Sequence, residues 1–302
     1  MAEFLQQTVN GLALGSIYAL IALGYTLVYG VLRFVNFAHG DVLMIGAYAA
    51  VFLHGPLRHM PGGTHSVGGF VLVTAGAMLV CAALGVLIEF LAYRPLRRQA
   101  RLTVLITSIG VSLLLANGGQ IVFGANQRPF PDLLPEKNLP LAAGVVVSSS
   151  HLVVLGVALL LLLLLTLVVH RTRYGLAIRA LSQNPTAAAL MGVHLNGTIS
   201  FTFAIGSALA GAAGVLYAMN IHSVEPLMGT LPGIKAFIAA VLGGIGSLHG
   251  AAIGGLILGL IESFAGGSVL SSYRDAIAFG ALVLILLIRP AGLFGSAQTE
   301  KV

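Results

Sequence analysis

The lysines give the first test for phosphate chemistry in this chain of 302 residues. A phosphate-cradling P-loop ends in Gly-Lys-Ser/Thr, because backbone amides and one ammonium group must converge on the phosphates. Here Lys137, Lys235 and Lys301 follow Glu136, Ile234 and Glu300 instead, so ATP is not held through such a loop. The histidines are scattered rather than paired as His-Glu-x-x-His, and no Gly-x-Ser-x-Gly elbow occurs. The single cysteine, Cys81, excludes an internal disulfide or a Cys-based metal site. The polar residues that stand out do so by location. Asn36, His39, Asp41, Glu89, Lys235 and Glu262 lie in or beside long apolar runs, where an ionisable group costs about 2.5–3.5 kcal/mol.

Two readings stay open for Asn36, His39 and Asp41, near the inner start of a span: a hydrogen-bonded knot shaping the inner mouth of a pathway, or helix capping at the interface. Glu89 stands one turn from the Arg94 group and reads as a structural residue that either snorkels toward it or pairs with it. Lys235 and Glu262 either face each other and steady a broken segment or sit in a solvated interface.

Such residues need a membrane around them, and the composition supplies one. The chain is 58% hydrophobic and 8% charged, with a mean hydropathy of +1.00, whereas soluble domains are about 25% charged. A soluble enzyme lacks the charge to solvate its surface, and a disordered chain has the opposite composition. The net charge of +6 is then read by position along spans rather than as nucleic-acid affinity. The first basic residue, Arg33, follows the first apolar run, so that run is expected to remain in the mature protein rather than act as a cleaved signal.

Runs of about 20 apolar residues mark the spans Val9–Val31, Asn36–His54, Gly68–Ala92, Leu102–Gly124, His151–His170, Thr198–Asn220 and Asp275–Phe294. Gly233–Gly266 is too long for one span and is interrupted by Gly243, Gly244, Gly246, Gly250, Gly254 and Gly255, so a broken or re-entrant helix is expected. The fold class is therefore an all-α polytopic membrane protein of about eight segments, in a single domain over 1–302. Ten of the fifteen Lys and Arg lie on one side if Arg33, Arg94, Arg97, Arg98, Arg101, Arg171, Arg173, Arg179, Arg289 and Lys301 are cytoplasmic. The N-terminus then lies outside and the C-terminus inside. Gly55–Val67 and the Pro-rich Ala125–Ser150 become outer loops.

The cytoplasmic loop 171–197 carries its own helix. Asn184 suits the N-cap, Pro185 the first helical position, Ala187 and Ala188 the interior, and Gly192 a left-handed stop. Two turns are marginal alone in water, so the apolar Ala187, Leu190 and Met191 call for a covering surface, either a partner or the chain's own bundle and membrane. The glycines Gly246, Gly250 and Gly254 recur every four residues, which allows close backbone packing and also suits a break beside which a solute passes.

The Ala187-Ala188-Ala189-Leu190-Met191-Gly192 stretch resembles the loop by which ABC-importer permeases dock their ATPases, with Thr186 in place of the usual Glu. Asn10-Gly11 through Gly15-Ser16-x-Tyr18, Asn36-Phe37-Ala38-His39-Gly40-Asp41, and Lys235-Ala236-Phe237 through Gly243-Gly244-Ile245-Gly246-Ser247-x-x-Gly250 look like the LivH-type permease of branched-chain amino-acid importers. The resemblance runs from Asn10 to about Phe294. It implies a multi-pass inner-membrane subunit paired with a longer, LivM-like sister permease, two cytoplasmic ATPases and a periplasmic binding protein. ATP and Mg would then sit on the ATPases, leaving this chain without a cofactor. The implied coupling residues are Asn184, Pro185, Ala187, Ala188, Leu190, Met191 and Gly192. Asn36, His39, Asp41, Gly243, Gly244, Gly246 and Gly250 are the candidates for pathway and gating. Urea or short amides are the alternative cargo, and a secondary transporter or channel the alternative class, although no acid sits clearly at mid-membrane to couple an ion.

Overall fold

The computed structural model describes residues 2–57, 66–97, 99–140, 146–268, 271–289 and 292–295. Arg58, Arg98, Lys301 and part of each expected outer loop lie outside them. The helices are α1 (Ala2–Leu32), α2 (His39–Leu57), α3 (Val67–Ile88, continued by a π-helical turn Glu89–Tyr93), α4 (Arg101–Phe123), α5 (Ser149–Arg171), α6 (Arg173–Gln183), α7 (Pro185–Leu190), α8 (Leu195–Ile221), α9 (Thr230–Gly243), α10 (Leu248–Gly266) and α11 (Arg274–Ile288). Among the described residues seven are long and apolar enough to cross a membrane: α1, α3, α4, α5, α8, α10 and α11 with its leading turn. The buried α2 and the shorter α9 pack among them. Because lipid is as apolar as the core, α4 and α5 keep leucines exposed outward while α1 and α8 are enclosed.

The packing repeats itself in reverse. Glycines bring α10 against α1, where Gly11, Gly15 and Gly259 stand at backbone contact, and bring α3 against α8 through Gly85 and Gly211. Just as α9 lies on α1, α2 lies on α8, and α1 and α8 touch each other through Gly24 and Gly206. Thus α1–α4 and α8–α11 are two units that run in opposite directions and exchange equivalent partners. Each unit turns back on itself after its first long helix. Arg33, at φ 58, ends α1, and His222, at φ 56, caps α8.

Arg33, Arg94, Arg97, Arg171, Arg173, Arg179 and Arg289 share one end of the bundle, hereafter the basic face, with α6 and α7. At the far face, strand β1 (Arg128–Pro129) pairs with β4 (Ser223–Val224), and β2 (Asn138–Pro140) with β3 (Val146–Ser148). The described part of the Pro-rich loop is thus extended rather than helical, as its prolines require.

The chain interruption lies elsewhere than the glycine run suggests. Gly243–Ser247 is a tight turn at the basic face, with Gly244 and Gly246 at φ 101 and 97, not an opening at membrane depth. The openings are residues 33–38 and 222–229, which lead into α2 and α9. With only 14 residues, α9 is too short to cross, so it starts inside the bundle and ends at the basic face. α10 then returns to the far face alongside α1. The chain from His222 to Gly266 therefore leaves the far face and returns to it.

Candidate functional site

The first element of the site is α7. Asn184 Oδ1 accepts from Ala187 N at 3.0 Å and Pro185 occupies the first turn, so the helix start is closed by its own residues. Gly192, at φ 84, ends it: Val193 N donates to Ala188 O and Gly192 N to Ala189 O, both at 3.0 Å, a Schellman closure. The side chains then divide. Leu190 and Met191 are 84% and 85% exposed and Ala187 is exposed with them, whereas Ala188 is 4% exposed. Ala188 thus corrects one expectation: it faces the chain's own α6 and α8 and anchors the helix instead of presenting it. α7 touches both of those helices, so a push on it reaches α8 directly.

A second element lies deep in the bundle. Residues 33–38 carry the chain back inside, and His39 packs beside Gly24 of α1, its ring 4.6 Å from that of Tyr25. Gly24 lies eight residues before Leu32, about 12 Å from the end of α1. His39 and Asp41 therefore begin α2 at depth rather than at the inner mouth. Asn36 Oδ1 accepts from Tyr93 Oη at 2.6 Å, tying the turn to α3. His39 instead packs on α1, so these side chains fasten the start of α2 to separate neighbours. Asp41 occupies the first turn, where a carboxylate meets the positive end of the helix.

At the same depth α9 begins. Gly40 lies against Gly229 and Gly233 so closely that a Cβ on either Gly40 or Gly229 would overlap the other's carbonyl. Two helix starts therefore meet backbone to backbone. Beside them Phe37, Leu227, Leu231 and Ile234 are exposed, an apolar face along α9 and the approach to α2. The other pathway candidates have different roles. Gly243 and Gly250 seal α9 to α10, Gly244 lies against Gly295, and Gly246 is an exposed turn residue with open space around it.

Two buried charge clusters brace this core. Glu262 accepts from Lys235 Nζ at 2.7 Å and from Tyr18 Oη at 2.8 Å, with Arg274 Nε at 3.2 Å and Asp275 on the far side of Lys235 at 2.7 Å. Lys235 and Glu262 thus face each other inside the protein and tie α9, α10 and α11 to α1. Glu89, fully buried, accepts from Ser200 Oγ at 2.6 Å and pairs with Arg94 and Arg97, joining α3 to the start of α8. The tyrosines Tyr18, Tyr25 and Tyr93 and the junction glycine Gly229 escape a reading of charges and glycine runs. Pro232, tolerated in the first turn of a helix, is the signal that could have placed the start of α9.

Residues 7–287 match the family described as branched-chain amino acid transport system, permease component. The chain is 44% identical to the high-affinity branched-chain amino acid transport system permease protein BraD of Pseudomonas aeruginosa, over 99% of this chain and 98% of the relative. It is 41% identical to LivH of Escherichia coli K12 over the same shares, and 31% identical to a probable LivH of Methanocaldococcus jannaschii over 93% and 89%. No solved structure matches it.

Proposed function

Because this chain belongs to the family of branched-chain amino acid transport permeases, we propose that it carries branched-chain amino acids across the cytoplasmic membrane as one permease subunit of an ATP-driven importer. It is a multi-pass membrane protein and a transport subunit, not an enzyme. The observation that carries the coupling half of this reading is α7, a helix closed at both ends whose Leu190 and Met191 project from the basic face. An apolar tip that none of the described residues covers, on a short helix braced from behind by Ala188, suits the groove of a cytoplasmic ATPase.

In this reading the basic face is cytoplasmic, following the positive-inside bias. Two ATPases bind ATP and Mg, a sister permease covers the apolar face beside α2 and α9, and a periplasmic protein delivers cargo to the far face. Nucleotide closure displaces α7, and α8 receives the displacement. α8 is packed on α1, α2 and α3 through glycines, so the movement passes as a rigid-body shift to the α2–α9 junction, where alternating access is exercised. Asn36, His39 and Asp41 set the position of α2 in that shift. Gly243, Gly244, Gly246 and Gly250 keep α9 and α10 moving as one hairpin. The apolar face at Phe37, Leu231 and Ile234 suits a hydrophobic, zwitterionic solute better than an ion.

The test is reconstitution of this chain with its sister permease, the ATPases and the binding protein in liposomes. ATP-dependent uptake of leucine, isoleucine and valine, outcompeting urea, is expected. Uptake of urea alone would reassign the cargo, and leucine uptake without ATP would sink the importer reading.

A further inference from the structure

α5 stands outside the reversed pair of units. It links them, rests chiefly on α1, and leaves a crevice along α1, α5 and α10. In the membrane core the crevice widens to a cavity of about 430 Å³ whose lining includes Leu12, Leu20, Gly156, Leu159 and Ala252. Its hydroxyl, from Ser16, already donates to Leu12 O at 2.7 Å, so the space offers only apolar contact.

One turn nearer the basic face on α1 and α10, the same three helices and α6 enclose a second cavity of about 260 Å³. Here the lining is different: Thr26, His170, Arg179, Ser182, Ser247 and His249, with no carboxylate among the described residues. Thr26 is 2% exposed, and its Oγ1 and Arg179 Nε are buried without a hydrogen-bond partner among the described residues. Unpartnered buried donors in an acid-free pocket fit an anion. The N-terminus of α10, capped by Ser247, opens into the same space and adds positive potential. Arg33 stands at the adjoining rim, donating to Ser182 O at 2.8 Å.

An apolar slot leading to a cationic pocket has the polarity of one amphiphile. Leu12 to Leu23 on α1 covers about 16 Å, roughly half of the hydrocarbon core and about the reach of one acyl chain. We infer that the crevice holds an anionic phospholipid of the basic-side leaflet, its phosphate in the Thr26–Arg179–His249 pocket and one acyl chain between α1 and α5. Because Ile178, Arg179 and Ser182 belong to α6, the bound headgroup fixes the base from which α7 projects. The inference needs only the bilayer placement and holds whichever solute is carried.

The full chain, purified in mild detergent and stripped of lipid, is titrated in native mass spectrometry with dioleoyl phosphatidylglycerol, dioleoyl phosphatidylethanolamine and glycerol 3-phosphate. Phosphatidylglycerol should be retained about fivefold better than phosphatidylethanolamine, the ratio for one added basic contact at a membrane surface. Arg179→Gln should erase that preference and Arg179→Lys should keep part of it. Gly156→Phe, placed where a Cβ meets nothing within 4 Å, should lower retention of both lipids by filling the slot. Equal retention of the two lipids by the unaltered chain would overturn the inference. So would glycerol 3-phosphate held as tightly as phosphatidylglycerol with Gly156→Phe without effect, which would assign the pocket to a soluble anion.

Discussion

Where α2 meets α9, deep in the bundle, Gly40 and Gly229 leave no room for a single methyl group. On α7 the situation is reversed, because Leu190 and Met191 are 84% and 85% exposed and none of the described residues covers them. Both regions depend on apolar surface, yet the first is finished within the chain and the second, in the proposed reading, is completed by a partner. A fault at the junction should therefore be felt in folding, and a fault at the tip of α7 in coupling alone.

The largest effect is expected at the junction. In Gly229→Leu the new side chain would overlap the Gly40 carbonyl, and backbone cannot yield as a side chain can. A loss of more than about 3 kcal/mol, visible as absent folded subunit in detergent, is expected. Normal yield and melting temperature would mean that the two helix starts do not touch.

The brace behind the junction comes next. Lys235→Met leaves Glu262 buried with Tyr18 and the half-exposed Arg274, so a cost of about 3 kcal/mol is expected. Adding Glu262→Leu should return part of it, since an apolar pair of similar volume needs no counter-charge. A double variant no more stable than Lys235→Met would show that the cluster does not act as a pair.

α7 offers the same contrast within two residues. Ala188→Asp would bury a carboxylate against α6 and α8 and should cost about 2 kcal/mol, whereas Leu190→Asp at the tip should shift stability by less than about 0.5 kcal/mol. Thermal unfolding of the two purified variants checks the difference. Equal shifts would show that the helix has no inner and outer side.

How far the sequence carried these assignments differs by region. The spans that became α1, α3, α4, α5, α8 and α11 and the caps of α7 were legible, because apolar runs and Asn-Pro…Gly punctuation act locally. The pairing of Glu89 with Arg94 was legible for the same reason. The depth of His39 and the location of the chain openings were not, since both depend on α2 and α9 meeting across nearly two hundred residues of sequence. A glycine looks alike in sequence whether it lets a chain turn, as Gly246 does, or lets helices touch, as Gly250 does. The inward orientation of Ala188 was hidden because three successive alanines carry no polarity to mark a face.

The smallest expected effect lies in the far-face loop. Glu136 accepts from Ser150 Oγ at 2.9 Å and contacts His222 Nε2 at 3.2 Å, and these hydrogen bonds hold its carboxyl below the ordinary value of 4.5. A lowered acid stabilises the loop above its ordinary range, and that contribution fades as the pH falls through the lowered value. Hydrogen exchange in residues 128–140 should therefore quicken as the pH falls below that ordinary value in the unaltered chain, and Glu136→Gln should remove that step. An unchanged pH profile in Glu136→Gln would place the step on another group.

Coupling through α7 is tested most directly by Leu190→Asp in the assembled importer, with ATP hydrolysis measured against added binding protein and leucine. An intact, correctly melting permease whose stimulated hydrolysis falls to the basal rate is expected, because the tip of α7 would no longer seat in the ATPase. Stimulated hydrolysis and leucine uptake at the unaltered level would show that α7 does not couple this subunit to ATP.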